Sequence, residues 1–434
     1  MFALGIRDLT NSCQSETNMW YLDDGCLAGD PHQVLQDLQT ISAASDSLGL
    51  EINPGKCELY FTNPDMESYH QVLSSFQSEA PGIKVLNNES LTLLGAPIMA
   101  EAVEGVLKQK LEDLKLMVER LTLIDPHDAL FLLRQCFAIP KLMYFIRSAP
   151  CFGHNTLEEY DHQLKIGLEE ILNIRLEENA WVQATLPVRK GGLGIRLASD
   201  LALPAFLSSA WGASSGAESL LTEEVLEAGY KQLDRAEEKW DECFRLDDPL
   251  PFPECALQPE NKSVQAQWDA PLYEKRFNDL LDSHTLPSER ARLRAVASEH
   301  SSDWLNALPL PKMGLKLDRA EIRIACGLRL GSAVVDPHKC HNCGETVTKL
   351  GRHGLSCKKA KGTQSRHWHG NELIKRALIS AQIPARREPQ NLNRSNNLRP
   401  DGRTMVPWSE GKILVWDYTV SDTLAQSHVG PNSS

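Results

Sequence analysis

Four soft metal ligands at regular spacing constrain this chain more than any other feature. Cys340, Cys343, His353 and Cys357 follow the pattern Cys-x2-Cys-x9-His-x3-Cys. Two close ligand pairs joined by a short Gly-containing loop suit tetrahedral Zn²⁺. All four positions are then ligands and no coordination site stays open. The metal is therefore expected to be structural, supplying folding energy to a segment too small for its own core. The alternative is four unrelated reduced side chains. The regular spacing and the polar sequence between the ligands favour zinc. Eleven Cys in all, an odd number and mostly scattered, fit a reducing compartment better than a disulfide framework.

The charge distribution gives this segment a second meaning. The formal net charge of −13 argues against a nucleic-acid binder. From Lys339 to Arg403, however, 14 Lys and Arg stand against 4 Asp and Glu, while the rest of the chain carries 31 against 54. A basic block inside an acidic chain is a phosphate-contacting footprint or simply a solvated basic surface. Its coincidence with the Cys/His cluster favours phosphate contact, since knuckles of this kind often touch nucleic acid.

A second chemical signal lies near the start. Tyr21-Leu22-Asp23-Asp24-Gly25 puts two adjacent carboxylates at a hairpin tip, with Asp-Gly as the turn signal. Adjacent carboxylates repel unless a cation compensates them, and a rigid hairpin can hold Mg²⁺ against phosphates in this way. The same letters also suit a plain exposed turn.

The chain reads as α+β and predominantly helical. Residues 1–100 are mixed: the hairpin is followed by a helix that opens on Asp30-Pro31, a strand over 57–62, and a short apolar segment at 91–98 broken by Gly95 and Pro97. Residues 101–215 are helical, with Val103, Leu107, Leu111, Leu114, Met117 and Leu121 as one stripe, a second apolar helix over 129–146 around Pro140, and a third over 157–174. Gly191-Gly192-Leu193-Gly194 lacks the Lys-Ser/Thr ending of a phosphate loop and reads as a tight turn before a helix at 197–211. Residues 216–330 read as an acidic helical connector with a Pro-rich break at 249–259, residues 331–362 as the zinc knuckle, and residues 363–434 as a partial α/β domain. No apolar run approaches a membrane span and the start has no basic-then-apolar leader pattern, so an intracellular chain is expected.

The last segment carries another acid pair. A helix is expected over 369–381, then Glu388, then Arg399-Pro400-Asp401, then a β-rich run over 412–420 that contains Asp417. Asp401 and Asp417, with 15 residues between them, can meet across a hairpin around a divalent ion, with Glu388 or Glu372 as a third ligand. A turn Asp and a strand-end Asp with no joint role is the competing reading.

Taken in order, these pieces resemble the reverse-transcriptase polyproteins of non-LTR retrotransposons. Tyr21-Leu22-Asp23-Asp24 looks like the Y-x-D-D box of the palm, and Gly49-Leu50-x-x-Asn53-x-x-Lys56-Cys57 resembles the block after it. Leu93-Leu94-Gly95-x-Pro97 looks like the primer-grip strand; Leu132-Leu133-Arg134 to Tyr144 and Leu186-Pro187 to Gly194 resemble the thumb and the segment beyond. The knuckle, Arg399-Pro400-Asp401 and Trp416-Asp417-Tyr418-Thr419-Val420 resemble the restriction-like endonuclease end of site-directed elements. The resemblance implies a partial palm over 1–100, a thumb-like region over 101–215 and RNA-directed DNA polymerisation, with Mg²⁺ on Asp23 and Asp24. It also implies nucleotide and primer contacts at Tyr21, Lys56 and Gly95, DNA cleavage with Mg²⁺ on Asp401 and Asp417, an RNA template, a DNA target or primer, and a nuclear location.

Departures accompany the matches. The family's palm needs a further metal-binding Asp on an earlier strand, and only Asp8 precedes the box. Thr419 stands where the nuclease pattern wants Lys, and the chain ends at Ser434 before a helix that could bring one. Both catalytic units are thus expected to be incomplete, the first by N-terminal truncation, and the chain inactive alone. The alternatives are a nucleic-acid-binding module without catalysis and a surviving metal-dependent endonuclease.

Overall fold

The computed structural model describes residues 2–245, 260–357, 359, 362–389, 399–420 and 424; the expected break at 249–259 and the Gly430–Ser434 end lie outside them. The described chain is mostly helical, with four two-stranded sheets and one three-stranded sheet, in keeping with the α+β expectation.

The first hairpin pairs Thr17–Tyr21 with Asp24–Ala28, in register Tyr21 to Asp24 and Trp20 to Gly25. The turn is therefore Leu22-Asp23 rather than Asp24-Gly25. Leu22 takes a left-handed φ of 58° and Asp23 does not, the pattern of a II′ hairpin loop. Gly25 has a different use: a Cβ there would stand 2.7 Å from the Trp20 indole, which lies across the neighbouring strand. Trp20 and Leu27 pack on Leu9, Cys13 and Ile41, while Met19 and Tyr21 face outward. The buried Asp37, on helix Pro31–Ser47, accepts the backbone N–H groups of Gln14 and Ser15 and the Ser15 hydroxyl. Burial opposes its charge, but these hydrogen bonds outweigh that and hold its carboxyl below the usual range. This ties the approach to the hairpin onto the helix behind it. Asp30 caps that helix through the N–H groups of His32 and Gln33, with Pro31 at its first position.

The helical body is organised by Ala100–Leu121 packing on Asn155–Leu172. Five of the six stripe residues are buried as expected, but Val118 rather than Met117 faces fully inward, because it packs against Gly167. The stretch Pro126–Ser148 is long and apolar enough to cross a membrane by composition, which corrects the expectation that no such run exists. It does not form one straight helix. Pro140 lacks the N–H that would continue the ladder, and a π segment, Leu133–Phe137, separates Pro126–Leu132 from Ile139–Ser148. Leu130, Leu133, Leu142 and Ile146 are buried in the core it shares with its neighbours. That core continues beyond residue 215: Leu305, Ile322, Cys326 and Leu330 belong to it.

A buried polar network locks the Gly191–Gly194 turn to this body. Arg329 donates to the carbonyls of Gly192 (3.1 Å) and Val188 (3.0 Å) and to the Ser302 hydroxyl (2.7 Å). Gln183 donates to the carbonyls of Gly191 and Arg329, and Arg292 donates to Gln183 and to the Arg329 carbonyl. A Cβ on Gly192 would collide with the Leu186 carbonyl. The backbone N–H groups of Gly192, Leu193 and Gly194 are spent on Pro187, Ala184 and Leu186. No donors remain there to cradle a phosphate, and the turn reading holds.

The last unit sets helix Gly362–Ser380 against a sheet ordered Val415–Trp416, Gly402–Thr404, Ala385–Arg387. Trp416 lies over Gly402 and Tyr418 over Gly370, and the Trp416 indole N–H donates to Asn371. The helix begins seven residues before the expected start at His369, which brings His367 onto it.

Candidate metal centre and acidic cleft

The Cys/His cluster grows from a small strand–turn–helix unit. His338–Lys339 pairs with Thr346–Val347, and the Cys340-x2-Cys343 turn joins them. Gly344 closes that turn with φ of 79° and its N–H on the Cys340 carbonyl. His353 opens the short helix His353–Ser356 and Cys357 follows it. One ligand atom from each of the four residues lies within 4.8 Å of the others. Cys343 Sγ stands 3.1 Å from His353 Nε2, and Cys340 Sγ stands 3.9 Å from Cys357 Sγ. A zinc tetrahedron with ~2.3 Å Zn–S and ~2.0 Å Zn–N bonds has edges of roughly 3.5–3.8 Å, and the two close pairs fall on either side of that range.

Backbone N–H groups of Asn342 and Cys343 point at Cys340 and pull its thiol down to about 6, so it meets a metal as thiolate. His353 Nδ1 faces Glu345 at 3.4 Å, the outer contact that fixes which ring nitrogen turns inward. The cluster could thus hold a metal ion such as zinc. Around it, Arg352 pairs with Glu289 (2.6 Å), which also holds Arg292 of the buried network, and Lys349 pairs with Glu177 (2.8 Å). These contacts seat the unit on the helical body.

The C-terminal acids come together at one end of the three-stranded sheet. The register sets Gly402 between Arg387 and Trp416, so Glu388, Asp401 and Asp417 are neighbours across three strands. The Asp401 N–H donates to the Asp417 carboxylate (3.2 Å), and the Tyr418 N–H donates to the Asp401 carboxylate (2.6 Å). His367 Nε2 stands 3.1 Å from Asp401. Glu372 is engaged elsewhere, with Arg387 at 3.1 Å and Lys375 at 3.6 Å. His367, Trp368, Asn371, Arg387, Glu388 and Asp401 line a cleft of about 440 Å³. His367 and Asn371 were legible as an i, i+4 pair on one helix face, but only to a reading that starts the helix early enough.

The palm-like residues sit apart from one another. Asp23 and Asp24 are exposed at the hairpin end, and Tyr21 beside them is 64% exposed. Lys56 lies on the short turn Pro54–Lys56, and no hydrogen bond or ion pair among the described residues joins it to either Asp. Leu94-Gly95, both with positive φ, form a I′ loop between Thr92–Leu93 and Ala96–Pro97. Tyr144 donates to the Leu94 carbonyl (3.0 Å) and pins this hairpin to the helical body. Asp8 is on the short helix Arg7–Ser12, not on a strand. Among the described residues, Cys340, Cys343, His353 and Cys357 are the only group of three or more His, Cys, Asp or Glu side chains that closes to metal-ligand spacing.

No family model matches the chain, and no curated protein matches it.

Proposed function

We propose that this chain is a zinc-stabilised nucleic-acid-binding protein of the non-LTR retrotransposon reverse-transcriptase type, in which the Cys340/Cys343/His353/Cys357 unit folds on Zn²⁺ and the basic block around it contacts phosphates. The observation that carries this is the closure of the four ligands inside the most basic segment of an acidic chain. The metal's part is structural: it crosslinks a unit with little core of its own. RNA template and DNA target are the partners this reading assigns. Titration of salt against oligonucleotide affinity tests it. Log affinity is expected to fall linearly with log salt, with a slope of about −0.7 to −0.9 per phosphate contact. Binding that ignores salt, or no binding at low salt, contradicts it.

A second reading, DNA cleavage at the sheet end, is favoured by the Asp401–Asp417 juxtaposition with His367 beside it. The chain's own residues would bind a divalent ion through Asp401 and Asp417, while His367 holds or moves a proton at Nε2. Mg²⁺ or Mn²⁺ would stabilise charge on the phosphate being attacked. Nicking of supercoiled plasmid is then expected in Mn²⁺, lowered about 100-fold or more in Asp401→Ala, since a metal ligand supplies several kcal/mol. An undiminished Asp401→Ala rate removes this assignment.

Polymerisation is assigned to Asp23 and Asp24 by resemblance. The described structure places no third donor beside them, and two-metal transfer needs a fuller cage. We therefore expect the chain alone to give no primer extension on an RNA template in Mg²⁺. Incorporation that disappears in Asp23→Asn would overturn that expectation.

A further inference from the structure

Trp368 stands against Arg387 of the neighbouring strand and meets the His369 ring edge-on. It belongs to none of the four buried apolar clusters among the described residues and is 47% exposed. Its indole instead lines the cleft beside Asp401. The Arg387 guanidinium sits 4.5 Å from the ring centroid. That cation is held in place by Glu372 at 3.1 Å and by the Trp368 carbonyl at 3.4 Å, so the stacked pair is built before any ligand arrives. The cleft's own charge selects what can join it. Asp401 and Glu388 line the same cleft and repel a bare anion, whereas a planar neutral ring can stack on the indole with the guanidinium behind it. Gln364 at the rim offers both a donor and an acceptor to a ring edge. The volume of about 440 Å³ suits one such ring with its sugar.

We infer that Trp368, backed by Arg387, is a stacking platform for one unpaired nucleobase of a single strand, placed next to the Asp401 end of the sheet. This rests on the nucleic-acid reading proposed above. It adds a base-contacting residue to it, one that works through a π face rather than through charge. Such a platform tolerates any base, because every base has a π face, and it discriminates an unpaired strand from a duplex.

The test compares a short single-stranded oligonucleotide with an abasic strand of the same length and charge, by fluorescence anisotropy on the full chain at low salt. The unmodified chain is expected to prefer the base-bearing strand by about tenfold. Trp368→Ala should abolish that preference and leave the abasic affinity unchanged. Trp368→Phe, which keeps an aromatic face, should retain most of it, and so separates stacking from a folding defect. A preserved preference in Trp368→Ala overturns the inference. If the unmodified chain binds both strands equally, the inference falls while the nucleic-acid reading stands. If it binds neither, that reading fails and the inference with it.

Discussion

Removal of the zinc proposed for Cys340, Cys343, His353 and Cys357 is expected to unfold residues 338–357 as a unit. Two two-residue strands and one four-residue helix are all the regular structure there, and Val347 and Cys357 are its buried apolar side chains. Elements this short do not persist in water without a crosslink. Structural zinc is worth about 10–16 kcal/mol in isolated finger peptides at neutral pH, far more than such a unit can gain by burial. Chelation or Cys343→Ser should therefore raise amide exchange and proteolysis across 338–357 by orders of magnitude. The effect should spread outward through Arg352, since losing that partner leaves Glu289 with Arg292 alone. The helical body around Leu107, Leu164 and Ile322 should keep its protection. Since thiols must lose protons to bind zinc, release should also follow acidification. Protection that does not change with chelator contradicts the account.

The second large effect is expected at Arg329, a residue the sequence does not single out. The residue is 4% exposed and no ion pair among the described residues reaches its guanidinium; carbonyls and a hydroxyl hold it instead. Burial lowers its pKa to about 10, still well above neutral pH, so the cation persists. Arg329→Met keeps the aliphatic stem and removes every donor. The Gly192 carbonyl then loses its buried partner, at about 1–3 kcal/mol, while the Val188 carbonyl keeps the Gly191 N–H and the Ser302 hydroxyl, which still donates to it. A loss of about 1–3 kcal/mol is expected, read as a lowered urea midpoint of the helical body. Arg329→Lys should recover little of it, because one ammonium cannot reach three acceptors spread along a fork. A midpoint within experimental error of the unsubstituted chain would show that the network is not what holds the Gly191–Gly194 turn.

Local patterns were legible where the physics is local. The Asp30-Pro31 helix start, the stripe from Val103 to Leu121 and the four zinc-type ligands depend on neighbours a few residues away, and periodicity or spacing reveals them. The hairpin at Asp23-Asp24 was legible but its turn was not. Asp-Gly is the commoner turn signal, yet Trp20 needs Gly25 beneath its ring, and the turn moves to Leu22-Asp23. Packing between distant elements set the rest. The membership of Leu305, Ile322 and Cys326 in the main core depends on contacts nearly two hundred residues away in sequence. His367 was missed for a similar reason: only the fold shows that it reaches Asp401. The register that lines up Glu388, Asp401 and Asp417 follows from three strands pairing, which spacing alone leaves open.

The proposed folding of the basic segment by zinc into a nucleic-acid-binding surface is open to one titration. Zn²⁺ is added to the metal-free full chain in the presence of a labelled single-stranded oligonucleotide, and anisotropy is followed. Binding is expected to rise with zinc and saturate at one equivalent, and Cys343→Ser is expected to abolish the rise. Affinity that is the same with and without zinc, or zinc uptake that leaves binding unchanged, would rule out that role for the metal.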